Sequence, residues 1–443
     1  GTDWLLNFHG GQNLSGSSHL QMLGADALAA GGFEEDLEAQ FSEAKAARFI
    51  GSEGLRRVKG LRASSIGPGE GGADPDIGYY NADGEELLDT WGTSLKGVWD
   101  LGALGDVGSV VLSSLTGTEW YDRSVEDEGD ANPASVFPGN YSDSARQISQ
   151  EFRAVGETDR FGWTAGLFFL HEKVDSFNVF PDTRNFRLEQ SFDQTLTAIA
   201  PFLGAQIPLS EELGLELGFR YNIEEKDFNI RSTAIGNESG AAVQEVAEST
   251  GATWTGPTGD ITLTYVPDWA LLERAQADEV SMYIKYVRGM KGGHFNASLT
   301  VANGVLGGGA EPVNPEFIDS IEGGWKSTWL EERVLFNIAL FRYWYQDYQV
   351  FDIANEAGAL PLPRLMNADA RAWGGELDLE LRPFPGTFLG TSIGFTDSRF
   401  KDFTVTKTIG FPRGQPETAT FNYDGNPTIS SPRLNLSAVF EQQ

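Results

Sequence analysis

The segment Leu213-Gly214-Leu215-Glu216-Leu217-Gly218-Phe219-Arg220-Tyr221-Asn222 is apolar at every odd position and glycine, charged or polar at every even one. Successive side chains of a β-strand point to opposite faces, so one face of this stretch wants hydrocarbon and the other water. Trp373-Gly374-Gly375-Glu376-Leu377-Asp378-Leu379-Glu380-Leu381-Arg382 repeats the pattern. Val280, Met282, Ile284 and Tyr286 alternate with Ser281, Tyr283 and Lys285, and Trp163, Ala165, Leu167 and Phe169 make another apolar face. A soluble sandwich shows the same alternation, so the connections must separate the two architectures.

Reading outward from these segments, period two and turn residues predict about 14 strands, at residues 3–9, 91–101, 108–121, 146–155, 161–173, 191–207, 213–229, 258–266, 279–288, 317–329, 333–347, 372–382, 387–400 and 433–440. Their connections alternate. Short ones fall at 102–107, 156–160, 208–212, 267–278, 330–332 and 383–386, and long ones at 10–90, 122–145, 174–190, 230–257, 289–316, 348–371 and 401–432. Short turns on one rim and long loops on the other are the asymmetry of an outer-membrane barrel, whose long loops are extracellular and whose short turns are periplasmic. Trp91, Trp99, Trp120, Tyr121, Trp325, Trp329, Trp344, Tyr345 and Trp373 stand at predicted strand ends, where amphipathic rings seat at the two interfaces. The expected fold class is therefore all-β, an antiparallel transmembrane β-barrel. By the parity of the connections, the first strand runs outward, the last runs inward and both chain ends sit at the periplasmic rim.

The bulk numbers agree. The 443 residues are 40% hydrophobic and 22% charged with 53 glycines, which suits neither a disordered chain nor a helical membrane protein. No run approaches the roughly 18 apolar residues of a helical span. A formal charge of −32 argues against nucleic acid as a partner, because that binding needs lysine and arginine to displace phosphate counterions. There is no cysteine, and the opening Gly1-Thr2-Asp3-Trp4 has neither initiator methionine nor apolar leader. Within the first long connection, Phe33, Leu37, Phe41 and Ala44 have the spacing of one amphipathic helix over 33–49, while Gly67–Gly72 and Gly304–Gly309 read as loop tips.

Motifs for chemistry are weak. His9, His19, His171 and His294 are scattered, with no second ligand at metal-site spacing, so no metal or cofactor is assigned. Gly289-Met290-Lys291-Gly292-Gly293 lacks the gap and ending of a phosphate loop. Asn81-Ala82-Asp83-Gly84-Glu85-Glu86 with Asp89, and Glu126-Asp127-Glu128-Gly129-Asp130, offer hard oxygen ligands without calcium-loop spacing, and read as solvated acidic loops. Glu376, Asp378 and Glu380 are expected to line a polar interior, and no catalytic triad or carboxylate pair is assignable, so the chain is not read as an enzyme.

Specific strings then resemble the barrel region of TonB-dependent receptors, the iron-complex outer-membrane receptor type. The chief one is Tyr286-Val287-Arg288-Gly289-Met290-Lys291-Gly292-Gly293-His294-Phe295-Asn296, in which Met290 and His294 depart from the usual residues. Asn314-Pro315-Glu316, Glu322-Gly323-Gly324-Trp325-Lys326, Phe341 to Gln349, Asn367-Ala368 and Gly374-Gly375-Glu376-Leu377 follow in order, and Ser149 to Arg153 and Gly218 to Tyr221 match earlier strands. The resemblance implies one receptor-like β-barrel domain over 1–443, lacking the family's plug domain, its coupling box and its closing aromatic residue. It also implies roughly 22 strands, so the wall is expected to be an incomplete portion that curls without closing. The function implied is active import of a scarce ligand, a ferric siderophore or similar iron complex, across the bacterial cell outer membrane. Its partners would be outer-membrane lipid and a TonB-type energy-coupling complex engaged through the plug. The alternatives are a passive porin and a surface adhesion or binding barrel. Tyr343, Tyr345, Tyr348 and the aromatics near Trp344 are candidates for ligand contact at the outer mouth, although interfacial seating explains Trp344 and Tyr345 equally; no binding residue is assigned.

Overall fold

A computed structural model describes residues 2–15, 85–128, 138–183, 186–236, 240–268, 272–274, 276–296, 299–302, 305–308, 310–354, 362–409 and 417–442. The helix expected over 33–49, the glycine tip at 67–72 and residues 81–84 and 129–130 of the two acidic runs lie outside the described residues, while Glu85, Glu86 and Asp89 and the run 126–128, read as acidic loops, are strand.

Fourteen strands form one antiparallel sheet in which every strand pairs with its neighbour in sequence. They are β1 (Thr2–Ser15), β2 (Glu85–Ala103), β3 (Ser109–Glu128), β4 (Pro138–Glu157), β5 (Gly162–Thr183), β6 (Phe186–Pro208) and β7 (Leu213–Gly236). After them come β8 (Ala242–Tyr265), β9 (Ala277–Lys291), β10 (Glu316–Trp329), β11 (Val334–Ala354), β12 (Leu362–Leu381), β13 (Thr387–Lys401) and β14 (Leu434–Gln442). Each predicted strand has its counterpart. Among the described residues β1 pairs only with β2 and β14 only with β13, so no ladder closes the sheet.

Four predicted long loops are in fact mostly strand. The connections expected at 122–145, 174–190, 230–257 and 348–371 are occupied by the upper parts of β3 to β8 and of β11 and β12. β7 shows why the sequence signal faded. Its odd positions Leu213 to Ile223 are apolar, about the 9–11 residues that cross a bilayer, but the same face continues as Glu225, Asp227, Asn229 and Arg231 while the ladder to β8 runs on. Above the bilayer that face is wetted, so the apolar alternation stops although the hydrogen bonds do not. Gly304–Gly309, expected as a loop tip, instead contributes Val305–Gly308 to a short hairpin with Leu299–Ala302.

At the opposite rim the turns are tight. Between β2 and β3 the backbone N–H of Leu104 donates to the Gly108 carbonyl at 2.8 Å. Gly108 has φ +84°, and a Cβ there would lie 1.9 Å from the Glu157 carbonyl oxygen, so only glycine fits.

Directly paired residues share a face of a sheet. One row runs Ile207, Leu215, Leu263, Ile284, Gly323, Leu340, Gly375, Phe395 and Leu434 across nine strands. Leu340 and Ile284 in it are 62% and 57% exposed, as side chains on the outer face of a transmembrane wall are. Leu213, Leu217, Phe219, Leu377, Leu379 and Leu381 lie on this outer face, and Glu216, Arg220, Glu376, Asp378 and Glu380 on the inner one, as expected. The aromatic set divides. Trp91, Trp99, Trp120, Trp325, Trp344 and Trp373 are on the outer face, whereas Tyr121 and Tyr345 are on the inner face. Two clusters of buried apolar residues lie on the inner face toward the long-loop rim, around Phe228 and Ile230 and around Val350 and Phe400, and a third, Leu272, Ala277 and Val280, lies at the short-turn rim.

Candidate functional site

Two described stretches of the connection between β9 and β10, residues 292–296 and 310–314, fold back over the inner face. Two glycines let them do so. A Cβ on Gly292 would meet the Glu224 carboxylate at 1.9 Å, and one on Gly293 would meet the Trp254 ring at 2.3 Å and the Val313 carbonyl at 2.6 Å. Beyond them Phe295 stacks on Phe228, with centroids 5.6 Å apart and planes at 19°, and packs against Trp254 at 5.4 Å. Burying that ring contributes roughly 1.5–3 kcal/mol, more than a typical single hydrogen bond at about 0.5–1.5 kcal/mol net. Phe295 is therefore the largest single contribution, and the polar contacts together set the position.

Those contacts come from strands far apart in the sheet. On β7 the Lys226 ammonium donates to the Gly293 carbonyl at 2.7 Å, approaches His294 Nδ1 at 3.4 Å and lies 5.8 Å from the Trp254 ring centre. On β8 the Glu248 carboxylate accepts the Ala310 N–H at 3.0 Å. On β12 the backbone of Leu365 exchanges two hydrogen bonds with the Asn296 amide, at 2.9 and 2.8 Å. Gln349 of β11 donates from Nε2 to the carbonyls of Gly292 and Asn314, at 2.9 and 3.0 Å, while its backbone N–H donates to Glu316 at 2.9 Å. Asn367, paired with Gln349, accepts the Asn314 N–H at 2.8 Å and donates to the carbonyls of Asn314 and Asp347 at 3.2 and 2.8 Å. A bulge between Tyr345 and Tyr348, with Asp347 at φ +54°, turns the strand so that this seam can form.

The strings that carry the family resemblance thus converge here: Gly292, Gly293, Phe295, Asn296, Asn314, Glu316, Asp347, Gln349 and Asn367 make one clamp. Lys226, Phe228 and Trp254, which complete it, were not singled out from sequence. Their signal was present in β7, where the alternation inverts: apolar residues leave the odd positions after Ile223 and take the even positions Phe228 and Ile230.

Beside the clamp runs an aromatic path. Phe341 stacks on Tyr343 at 4.7 Å, and Tyr345 meets Tyr348 edge-on at 5.3 Å. Tyr348, Phe400, Phe403 and Tyr423 follow at 6.2, 5.0 and 5.4 Å, which carries the path from the wall to the hairpin of Thr404–Ile409 and Glu417–Asn422. Tyr343, Tyr345 and Tyr348 are thus brought together on the inner face. Trp344 is not, since it lies on the outer face beneath the Arg342 guanidinium at 5.1 Å.

The histidines remain apart. His9 faces Glu119 at 3.0 Å, His171 meets Thr197 at 3.1 Å on the outer face, and His19 lies outside the described residues. Burial first, then the Lys226 and Lys291 ammonium groups, lower the His294 pKa to about 4, so this ring is neutral at ordinary pH. Among the described residues no group of three histidines or carboxylates is placed to hold a metal ion.

Three solved structures share the fold. The ferric yersiniabactin uptake receptor of Yersinia pestis is 16% identical, with a TM-score of 0.58 over 82% of this chain and 56% of its own. The ferric-catecholate import receptor of E. coli K12 is 13% identical, with a TM-score of 0.56 over 90% of this chain and 56% of its own. A siderophore receptor of Acinetobacter baumannii is 13% identical, with a TM-score of 0.52 over 80% and 52%. The chain therefore spans about half the length of these receptors. The sequence model for the TonB-dependent receptor-like β-barrel matches residues 45–442, and the chain belongs to that family.

Proposed function

We propose that the protein carrying this chain sits in the bacterial outer membrane and imports a ferric siderophore or a similar iron complex, with energy delivered by a TonB-type coupling complex. The observation that carries this reading is the clamp. A diffusion channel works by leaving its lumen open, whereas here residues 292–296 and 310–314 are drawn over the inner face and held by Phe295 and by bonds from β7, β8, β11 and β12. Family membership supports the coupling to TonB, and the receptors for iron complexes that share the fold support the cargo class. The half-buried Tyr343, Tyr345 and Tyr348 would offer an aromatic surface to such a ligand beside the clamp.

The test is uptake of radiolabelled ferric siderophores by cells that depend on this protein. Uptake is expected to saturate and to stop when the inner-membrane proton gradient is collapsed or the coupling protein is deleted. Uptake that survives both treatments and rises linearly with outside concentration would identify a passive porin instead.

A further inference from the structure

The outer face carries a band of arginines confined to one sector. Arg288, Asp319, Trp344, Arg371 and Arg399 are consecutive direct partners across β9 to β13. The adjacent row, one step toward the short turns, holds Tyr286, Ile321, Arg342, Trp373 and Asp397. Arg433 reaches the same place by donating to Asp397 at 2.7 Å. These rows stand just above the apolar run Leu381, Leu379 and Leu377, at the level where aromatic and cationic side chains meet lipid headgroups. The chain is otherwise acidic, with a formal charge of −32, and the outer positions at the corresponding border of β2, β3, β6 and β7 include Asp89, Asp122, Asp193 and Glu225; Arg146 and Lys173 are basic exceptions there.

The band is short of anions. Arg371 stands directly opposite Arg399, a like-charge pair that destabilises a sheet. Asp397 accepts from Arg399 at 3.0 Å and from Arg433 at 2.7 Å, and Asp319 from Arg288 at 2.6 Å. Among the described residues Arg342 and Arg371 have no carboxylate partner. We propose that Arg342, Arg371 and Arg399, flanked by Trp344 and Trp373, bind the phosphorylated headgroup of an outer-leaflet lipid.

Guanidinium groups match phosphate oxygens in fork geometry and are favoured wherever phosphate is recognised. A lipid source is favoured over a free phosphate because the surface is open and continuous with exposed hydrocarbon, Trp373 being 54% and Leu340 62% exposed. Acyl chains lying on that hydrocarbon hold the headgroup at a high effective concentration that a free ion lacks. The inference rests on the outer-membrane placement proposed above but is independent of the cargo.

The experiment is native mass spectrometry of the protein purified in detergent from the outer-membrane fraction, titrated with diphosphoryl lipid A, with the same lipid after phosphatase treatment, or with inorganic phosphate. Recovery in that fraction tests the placement separately. Retention of the diphosphoryl lipid is expected to fall about tenfold in Arg342→Gln/Arg371→Gln, the size of one lost charge-assisted hydrogen bond, and to be unchanged in Lys173→Gln. Heat-modifiable migration checks that the variants assemble, and the phosphatase arm needs no variant at all. Equal retention of the dephosphorylated lipid, equal retention by the double variant, or displacement of the lipid by inorganic phosphate at equal concentration would each overturn the proposal.

Discussion

Asn296 and Leu365 lie 69 residues apart and exchange two hydrogen bonds, Asn296 Nδ2 donating to the Leu365 carbonyl at 2.9 Å and the Leu365 N–H donating to Asn296 Oδ1 at 2.8 Å. One amide side chain thus completes a strand-like pairing for a backbone that the β9 to β10 segment would otherwise leave unmatched. Asn296→Ala should leave both Leu365 groups without that partner and weaken docking by about 1–3 kcal/mol. Hydrogen exchange at Leu365 and Asn314 is the readout. Unchanged protection would show that water replaces the amide without cost.

Phe295→Ala should loosen the same segment further, by about 3–5 kcal/mol, because it removes the ring that fills the space between Phe228 and Trp254. The chain has no cysteine, so a single Ala310→Cys reports docking by its rate of thiol labelling. Faster labelling with Asn296→Ala than with Phe295→Ala would show that polar contacts, not the ring, hold the segment.

The docked segment should also respond to acid. The His294 pKa is lowered from the ordinary 6.5 to about 4, so the released segment binds a proton that the docked one does not. Docking is then fully stable above pH 6.5 and loses stability as pH falls from 6.5 toward 4, where a cation beside Lys226 and Lys291 must be accommodated. Hydrogen exchange of the Asn296 and Ala310 amides, corrected for the intrinsic pH dependence, should show this slope in the native protein and lose it in His294→Gln. A slope that persists in the variant would place the titrating group elsewhere.

Sidedness gives a fourth expectation. Leu377 sits in the middle of the outer apolar run from Leu381 to Trp373, so Leu377→Arg should destabilise the membrane-inserted protein by roughly 2–4 kcal/mol. Asp378 faces inward and accepts from Ser392 at 2.6 Å, a bond that asparagine also makes, so Asp378→Asn should cost less than about 1 kcal/mol. Denaturant titration in lipid vesicles compares the two. Equal losses would refute the assignment of faces.

The sequence by itself determined the number of wall strands, their order and, where the alternation is unbroken, which side chains face lipid. All three follow from period two, a local property, and from the parity of short and long connections. Leu213 to Ile223 and Leu377 to Leu381 could be placed without coordinates because the bilayer imposes one rule on every residue at the same depth. Above the bilayer that rule lapses. Glu225 to Arg231 face water like any loop, so their continued pairing with β8 was invisible until the partner strand was in place. Only the tertiary structure decided that the segment after Gly292 turns inward, that Tyr345 belongs to the inner path while Trp344 faces out, and that Arg371 stands opposite Arg399. Each depends on register between distant strands and on a bulge at Asp347, and a shift of one residue in register would send every one of those side chains to the other face.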